Sequence, residues 1–230
     1  MMQRVRIEVV VFSAAKNEAV AARRVQRAPF GNVALGRVQA TVGHLGERTC
    51  LTVASGLGYK HLDRCFHELT RLFRPRLFVN FGAAGAVDRT MGIGTPTVPN
   101  EIVAYSWPDL ESQGEPIRRP TDPLRGIARA VRITRAGSCP HDIRDAEIRD
   151  ELRTKLKIDT TDCETYRLAD FCRQRGIPFV ALRMITDRAD SMAGYHYGRS
   201  AALVLEAGAH LLAPLVEQAL ELFCPKKKTS

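Results

Sequence analysis

The sequence predicts an α/β fold: a single-domain three-layer α/β/α sandwich around a mixed, mostly parallel central sheet. Short apolar segments rich in β-branched residues alternate with amphipathic segments along the whole chain, the pattern of strands connected by helices. The length of 230 residues fits one domain with a sizeable core, and no internal repeat divides it. We expect one domain over residues 1–223 and a basic tail over residues 224–230.

The first elements follow from apolar runs and glycine punctuation. Val5–Phe12 is a near-continuous apolar run and predicts a strand buried on both faces. The alanine-rich stretch after it predicts a helix that ends near Arg27. Two segments punctuated by glycines, Phe30–Val42 and Arg48–Val53, predict a meander of strands, and Tyr59–Phe73 predicts a helix.

The middle of the chain predicts two more buried strands, over Leu77–Phe81 and Glu101–Tyr105. Between them, Gly82–Ala86 follows the strand directly, and its small residues let the backbone approach a ligand. A glycine-rich tight turn would explain the glycines of this segment but not its three alanines. Trp107–Pro123 is rich in Pro, Gly, Ser and charge, and predicts a mobile or interface segment.

The rest of the chain continues the alternation. The predicted elements are a short helix over Arg125–Val131, a strand over Val131–Arg135, a loop over Gly137–Asp142, a charged helix over Asp145–Lys155, strands over Ile158–Thr161 and Phe179–Leu182 flanking another helix, a loop over Ser191–Gly198, and a long helix over Ser200–Phe223. Loops that follow parallel strands meet at one edge of the sheet, so their side chains are expected to lie together.

The charge balance raises the question of a polyanionic partner. The formal net charge is +9 and the pI is near 9.6, and Lys and Arg can neutralise phosphates. However, the arginines are scattered, and the one run of cations is Lys226–Lys228. The pattern favours a solvated basic surface over a nucleic-acid face, and contact with a membrane stays open.

Other classes of protein are disfavoured by the sequence. No segment approaches the roughly eighteen consecutive apolar residues of a membrane span, and Glu8 interrupts the first apolar run, so we expect a cytoplasmic protein without a signal peptide. The six cysteines form no C-x-x-C pair, and we predict no metal site. Ser55–Gly58 is close to a dinucleotide-binding fingerprint, but His61 stands at the third glycine position, so no cofactor is expected.

Catalytic chemistry is predicted at the carboxyl ends of the strands, where open α/β sheets bind ligands. Glu164 follows the strand over Ile158–Thr161, and Asp187 follows the next strand, with Arg183 between them in sequence. Two carboxylates and a guanidinium can hold a polyhydroxylated substrate, supply a proton and stabilise charge. Glu18 is predicted at the same edge, in the first turn of the first helix, where position alone favours an ordinary helix-dipole glutamate.

Four short motifs stand in order along the chain. They are SGLGYK at Ser55–Lys60, FVNFGAAGAVD at Phe78–Asp88, DCE at Asp162–Glu164 and RMITDRAD at Arg183–Asp190. Together they resemble the S-G-I-G-K, N-x-G-[ST]-A-G, E-M-E and R-x-I-S-D-x-A-D motifs of the purine nucleoside phosphorylase and nucleosidase superfamily, especially its methylthioadenosine/adenosylhomocysteine nucleosidases. The resemblance covers nearly the whole chain and implies a nucleoside phosphorylase-like fold that cleaves N-glycosidic bonds.

The resemblance implies a role for each matching charged residue. Asp187 corresponds to the acid that protonates the imidazole-ring nitrogen of the departing purine. Glu18 corresponds to the base that activates water, and Glu164 to the glutamate that binds the ribose hydroxyls. Arg183 would brace the water and Glu164, and Thr186 would support the acid.

Further substrate-binding positions are implied by the same resemblance. They are Gly82, Ala83, His141, Asp162, Cys163 and Tyr197. His141 stands where the family stacks an aromatic ring on the base, and Tyr197 lies near an aromatic residue of the 5′ pocket.

Some positions depart from the family's pattern. Ser13-Ala14 and Asn80 replace the glycine turn and the arginine with which phosphorylases hold phosphate, so a phosphate ion has few fixed donors and water is the favoured nucleophile. Cys163 replaces the ribose-facing methionine, and Ala83 replaces a small hydroxyl residue. The 5′ substituent stays open between a methylthio group and a larger one, as in an adenosylated lipid precursor or a futalosine-like compound.

We therefore expect an N-glycosidic hydrolase, a purine nucleosidase that releases the base of a 5′-substituted adenosine-type nucleoside and forms a homodimer, as the family usually does. The alternatives are a phosphate-dependent purine nucleoside phosphorylase and a nonenzymatic protein that binds nucleotides or nucleic acid on the same fold. The retention of four charged residues, Glu18, Glu164, Arg183 and Asp187, favours the enzyme, because burying them without a function is costly.

Overall fold

The computed structural model describes residues 4–36, 38–118, 127 and 129–224. Its strands are β1 Val5–Ser13, β2 Arg27–Leu35, β3 Val38–Leu45, β4 Arg48–Ala54, β5 Phe73–Ala86, β6 Pro96–Tyr105, β7 Ser112–Arg118, β8 Arg132–Ser138, β9 Thr160–Asp162 and β10 Phe179–Asp187. Its helices are α1 Lys16–Arg24, α2 Tyr59–Leu72, α3 Ala146–Leu156, α4 Thr165–Gln174, α5 Ala193–Ala209 and α6 Leu212–Phe223.

The strands form one mixed sheet, as predicted. Their order is β10-β6-β8-β9-β5-β1-β4-β3-β2, and β7 pairs with β6. The strands β4, β1, β5 and β10 run parallel and side by side. β10 also pairs with β6, so that β5, β10, β6, β8 and β9 close into a ring, from which the other four strands of the main order extend as an open sheet.

Two hydrophobic clusters on opposite faces of the sheet produce the predicted three layers. Val9 and Val11 of β1 face the buried residues of α1, α5 and α6. Val10 and Phe12 face the buried residues of α2 and α4. Successive side chains of a strand point to opposite faces, so a continuous apolar run such as β1 supplies both clusters.

The prediction that the strand beginning at Leu77 ends at Phe81 is wrong, because Gly82–Ala86 are the last part of β5. They pair with β10, where Gly82 stands beside Arg183 and Gly85 beside Asp187. A glycine-rich segment after an apolar run has the pattern of a turn. Here the small residues serve another purpose, which is to leave room for charged side chains above the strand.

The prediction of a loop at Ser191–Gly198 is also wrong, because α5 begins at Ala193 and therefore contains Tyr197. The single long helix predicted over Ser200–Phe223 is in fact the end of α5 followed by α6, with a bend of 52° between them. The glycines of α5 weaken a helix, but its buried face packs against the sheet and outweighs their cost.

The segment Trp107–Pro123 contains a strand that was not predicted, since β7 pairs with β6. Residues 119–123 of this segment, residues 125, 126 and 128 of the predicted helix over Arg125–Val131, and the tail residues 225–230 lie outside the described residues.

Across the described part of the chain, no single helix is long and apolar enough to cross a membrane. The pair α5 and α6 reaches that length and composition only together, across the bend between them.

Candidate active site

A cavity of about 380 Å³ opens at the carboxyl ends of β1, β5 and β10, the edge at which ligands are expected. It is lined by ten of the eleven predicted site residues: Glu18, Ala83, His141, Asp162, Cys163, Glu164, Arg183, Thr186, Asp187 and Tyr197. The eleventh, Gly82, does not line the cavity but lies against the side chains of Glu18 and Arg183. A Cβ atom added at Gly82 would overlap the Glu18 carboxylate and lie 2.8 Å from Arg183 Nη1. The structure therefore brings all the predicted site residues together.

Glu18 is fixed by backbone amides on both of its oxygens. Oε2 accepts hydrogen bonds from the amides of Ala14 and Ala15 at 3.0 and 2.9 Å, and Oε1 accepts one from the amide of Ala83 at 2.8 Å. The side chain folds back over the start of α1, as the third residue of a capping box does. Only 4% of Glu18 is exposed. It is thus a rigid acceptor at the end of β1, and not an ordinary first-turn glutamate in solvent.

Arg183 is a buried cation at the floor of the cavity, with 2% of its surface exposed. Nη1 donates to Asn80 Oδ1 at 3.1 Å, and Nη2 donates to the Ala83 carbonyl and to Glu164 Oε2, the latter at 3.2 Å. Nε lies 3.4 Å from Asp162 Oδ2. Burial by itself lowers the pKa of this guanidinium, but the surrounding carboxylates raise it overall, so the side chain stays charged.

Asp162 is engaged with the protein itself. Its Oδ1 accepts hydrogen bonds from Ser138 Oγ at 3.1 Å and from the amides of Glu164 and Thr165 at 2.9 and 2.8 Å. These bonds satisfy amides at the start of α4, which lack partners within the helix. Oδ2 accepts from the Thr165 hydroxyl and faces Arg183. The geometry makes Asp162 a support for its neighbours, and its contact with a substrate stays a prediction.

Glu164 stands at the start of α4 with 8% of its surface exposed. Burial raises the pKa of this carboxyl to about 8, with the neighbouring carboxylates of Glu18 and Asp162 adding to the rise and Arg183 opposing it. Three carboxylates thus surround one guanidinium. Burial therefore disfavours the charged form of Glu164, the side chain that the sequence predicts to bind hydroxyl groups.

Asp187 ends β10, next to the cavity. Oδ2 accepts a hydrogen bond from the Thr186 hydroxyl at 2.9 Å, and Oδ1 accepts one from the Ala189 amide at 2.9 Å. Burial raises the pKa of Asp187, and these two hydrogen bonds oppose the rise. Gly85 leaves the space for this arrangement, because a Cβ atom there would lie 2.9 Å from Oδ1.

The rim of the cavity carries the two predicted ring residues. Tyr197 accepts a hydrogen bond from Asn17 Nδ2 at 3.1 Å, which joins α5 to α1. The ring of His141 lies 5.9 Å from that of Trp107, at an angle of 37°. Cys163 donates to Asp142 Oδ1 at 3.5 Å, and burial raises the pKa of its thiol.

Three residues of the site have roles that sequence reasoning missed. Asn80 accepts from both Arg183 and the Thr165 hydroxyl, and donates to the Phe12 carbonyl. A polar residue inside the apolar run of β5 was the available signal. Leu57, which lies in the Ser55–Lys60 motif, and Arg144 also line the cavity, although neither was predicted to be a site residue.

Comparison with known proteins relates the chain to one family. The sequence model of the phosphorylase superfamily matches residues 6–221. The 5′-methylthioadenosine/S-adenosylhomocysteine nucleosidase of Staphylococcus saprophyticus is 28% identical over 170 residues, which are 66% of this chain and 74% of that protein.

Solved structures share the fold. The 5′-methylthioadenosine/S-adenosylhomocysteine nucleosidase of Neisseria meningitidis, in complex with methylthio-immucillin-A, has a TM-score of 0.80 at 21% identity, covering 91% of this chain and 98% of that one. The futalosine hydrolase of Helicobacter pylori has a TM-score of 0.80 at 16% identity, covering 93% and 98%.

Replacing Glu164 is expected to stabilise the folded protein. A carboxyl whose pKa is raised by folding contributes its full stability below its ordinary pKa, here 4.5, and loses it as the pH rises to about 8. Glutamine cannot ionise, so Glu164→Gln should be more stable than the wild type in urea unfolding, with a larger difference near pH 8 than near pH 5. A variant that is less stable near pH 8 would show that the ion pair with Arg183 dominates instead.

Proposed function

The chain belongs to the phosphorylase superfamily, and from this premise we propose that it is a nucleosidase that hydrolyses the N-glycosidic bond of a 5′-substituted adenosine. The observation that carries the proposal is the position of Glu18. Its carboxylate accepts hydrogen bonds from the two backbone amides that follow β1 and from the Ala83 amide of β5. It lines the same cavity as Arg183 and Asp187. A fixed base and a separate acid in one cavity are what hydrolysis of such a bond needs.

The acid acts on the leaving base. A purine leaves poorly as an anion, so a proton must reach its imidazole ring as the bond from nitrogen to C1′ breaks. The pKa of Asp187 is raised by burial, which favours the protonated form that can supply this proton. An aspartate also accepts a hydrogen bond from a 6-amino group, which supports adenine as the base.

The sugar develops positive charge as the base departs. We assign Glu164 to the ribose hydroxyls, with which a carboxyl can form hydrogen bonds in either protonation state, and its contact with Arg183 at 3.2 Å supports a fixed orientation. Neighbouring carboxylates stabilise an oxocarbenium-like state more than they stabilise the neutral sugar. Glu18 then accepts a proton from water as the water oxygen bonds to C1′, so the products are the free purine and a sugar with a hydroxyl at C1′.

Water is favoured over phosphate by the same geometry. The amides of Ala14, Ala15 and Ala83, which would be natural donors to an oxyanion, already donate to Glu18. A phosphate ion would meet a carboxylate there instead of free donors. This weighs against the alternative of a phosphorylase.

The nucleosidase relatives support a 5′-substituted adenosine, while the futalosine hydrolase acts on a nucleoside with a different base and a different 5′ group. The resemblance puts Tyr197 near the 5′ group, and Leu57 of the S-G-L-G-Y-K motif lines the same cavity. The substrate panel should therefore include methylthioadenosine, adenosylhomocysteine, and a nucleoside with a large 5′ substituent such as futalosine.

The homodimer is part of the proposal and is supported by the mouth of the cavity. Four large side chains there or beside it are well exposed: Leu57 at 70%, Tyr195 at 57%, Met192 at 47% and Trp107 at 36%. Grouped exposed apolar side chains indicate an interaction surface. We expect light scattering to give the mass of two chains at micromolar concentration, and Leu57→Asp to shift the protein towards monomer. A wild-type monomer would contradict this part of the proposal.

The first test of the activity is release of free base. The purified protein is incubated with the panel, with and without inorganic phosphate, and adenine (or the 6-oxo base from futalosine) is assayed together with the sugar product. We expect base release without phosphate and a free sugar product. Release that requires phosphate and yields a sugar phosphate would establish the phosphorylase. Tight, salt-sensitive binding of duplex nucleic acid without base release would favour the nonenzymatic alternative.

Asp187→Asn is expected to lower kcat by about 10²- to 10⁴-fold, because asparagine cannot donate the proton. The wild-type rate should fall as the pH rises through the raised pKa of Asp187, since only the protonated acid is active. The variant should lack this alkaline limb. Asp170→Asn is the matched control, since Asp170 pairs with Arg173 on the surface of α4. An unchanged pH–rate profile in Asp187→Asn would refute the role of the acid.

A further inference from the structure

We infer that Arg149 is a positioning residue for the acid, which it holds in place through the loop at residues 187–190. The inference rests on the proposed function, because Asp187 must be the proton donor for its position to matter. Arg149 lies on α3 and lines a second cavity, of about 250 Å³, which lies behind this loop. None of the roles described above uses this residue.

The loop has a conformation that it does not adopt easily. Ala189 has a φ of +48°, in the left-handed region that residues with a Cβ atom rarely occupy. This conformation presents the Ala189 amide to Asp187 Oδ1 at 2.9 Å. The orientation of the acid thus depends on a backbone geometry that the surrounding structure must hold.

Arg149 holds the backbone on both sides of Ala189. Its Nη1 donates to the Arg188 carbonyl at 3.3 Å and lies 3.7 Å from Asp190 Oδ2. Asp190 in turn accepts a hydrogen bond from the Met192 amide at 2.9 Å, just before α5 begins. One guanidinium therefore fixes the residue before the strained alanine and the residue after it.

The burial of Arg149 supports a role beyond solubility. Only 7% of Arg149 is exposed. Burying a cation costs desolvation free energy, which its ion pairs and hydrogen bonds must offset. Its Nε donates to Asp150 Oδ1 at 3.0 Å, which fixes the plane of the guanidinium and directs Nη1 to the loop. Ala189 packs in the same hydrophobic cluster as Leu152 of α3, so the helix and the loop form one unit.

Arg89 provides a matched control on the same cavity. It also binds Asp150, through Nε and Nη2, but its side chain is 69% exposed and the structure places none of its contacts on the described loop residues 187–190. Replacing Arg89 therefore removes one positive charge from the cavity and the contact between Arg89 and Asp150. It leaves in place the contacts of Arg149 with the residues on either side of Ala189.

The test measures kcat and KM for base release by the wild type, Arg149→Ala, Arg149→Lys and Arg89→Ala. We expect Arg149→Ala to lose roughly 10- to 100-fold in kcat, a part of what general acid catalysis supplies, with KM changed less than about threefold. Arg149→Lys keeps the positive charge and one donor nitrogen, and its kcat should fall less than that of Arg149→Ala. Arg89→Ala should stay within about twofold of the wild type. Guanidinium chloride at millimolar concentration should restore part of kcat in Arg149→Ala alone, because the ion fits the enlarged cavity.

Two results would overturn the inference. One is a kcat of Arg149→Ala equal to that of Arg89→Ala. The other is a loss of kcat that matches the loss of folded protein in thermal denaturation and does not respond to guanidinium. If Arg149→Ala does not fold, Arg149→Lys decides: a lowered kcat with a wild-type melting temperature supports the role, and an unchanged kcat refutes it. A wild type that releases no base refutes the proposed function itself, which is a separate result.

Discussion

The buried guanidinium of Arg183 is the interaction on which the rest of the site depends. A cation with almost no exposed surface must be paired, and the chain meets this need with Asp162, Glu164 and the amide oxygen of Asn80. Asp162 also holds the first amides of α4, so the same carboxylate fixes both the cation and the helix that carries Glu164. The cation, the start of α4 and the Glu164 carboxyl are therefore one unit.

Glu18, Glu164 and Asp187 are three of the carboxylates that line the cavity, and their surroundings differ. Glu18 accepts from three backbone amides, Glu164 is buried beside a cation, and Asp187 accepts from one hydroxyl and one amide. Burial raises the pKa of Glu164 and of Asp187, and carboxyl groups held in different surroundings can take different parts in one reaction. The parallel strands make this possible because β1, β5 and β10 deliver their last residues to the same edge.

The glycines show where sequence reasoning works and where it fails. Their pattern ended the predicted strand at Phe81, but Gly82–Ala86 continue that strand, and its small residues leave room for Glu18, Arg183 and Asp187. The requirement for small residues was visible in the sequence, while its cause was not, because the side chains that fill the space come from residues that are distant in sequence. The same limit hid Arg149, which looks like any other charged residue of an outer helix.

The sequence by itself determined the layered α/β fold, the two-faced burial of its strands and the set of residues at the carboxyl edge. Apolar periodicity and the order of four motifs are local properties of the chain, so they could be read directly. Only the tertiary structure decided which oxygen receives which donor, that Asp162 supports its neighbours, and that α3 reaches the loop behind the acid. Those outcomes depend on contacts between residues that are far apart in the sequence. Arg183, for example, contacts Ala83 and Asn80, which are 100 and 103 positions away, and no local pattern encodes such contacts.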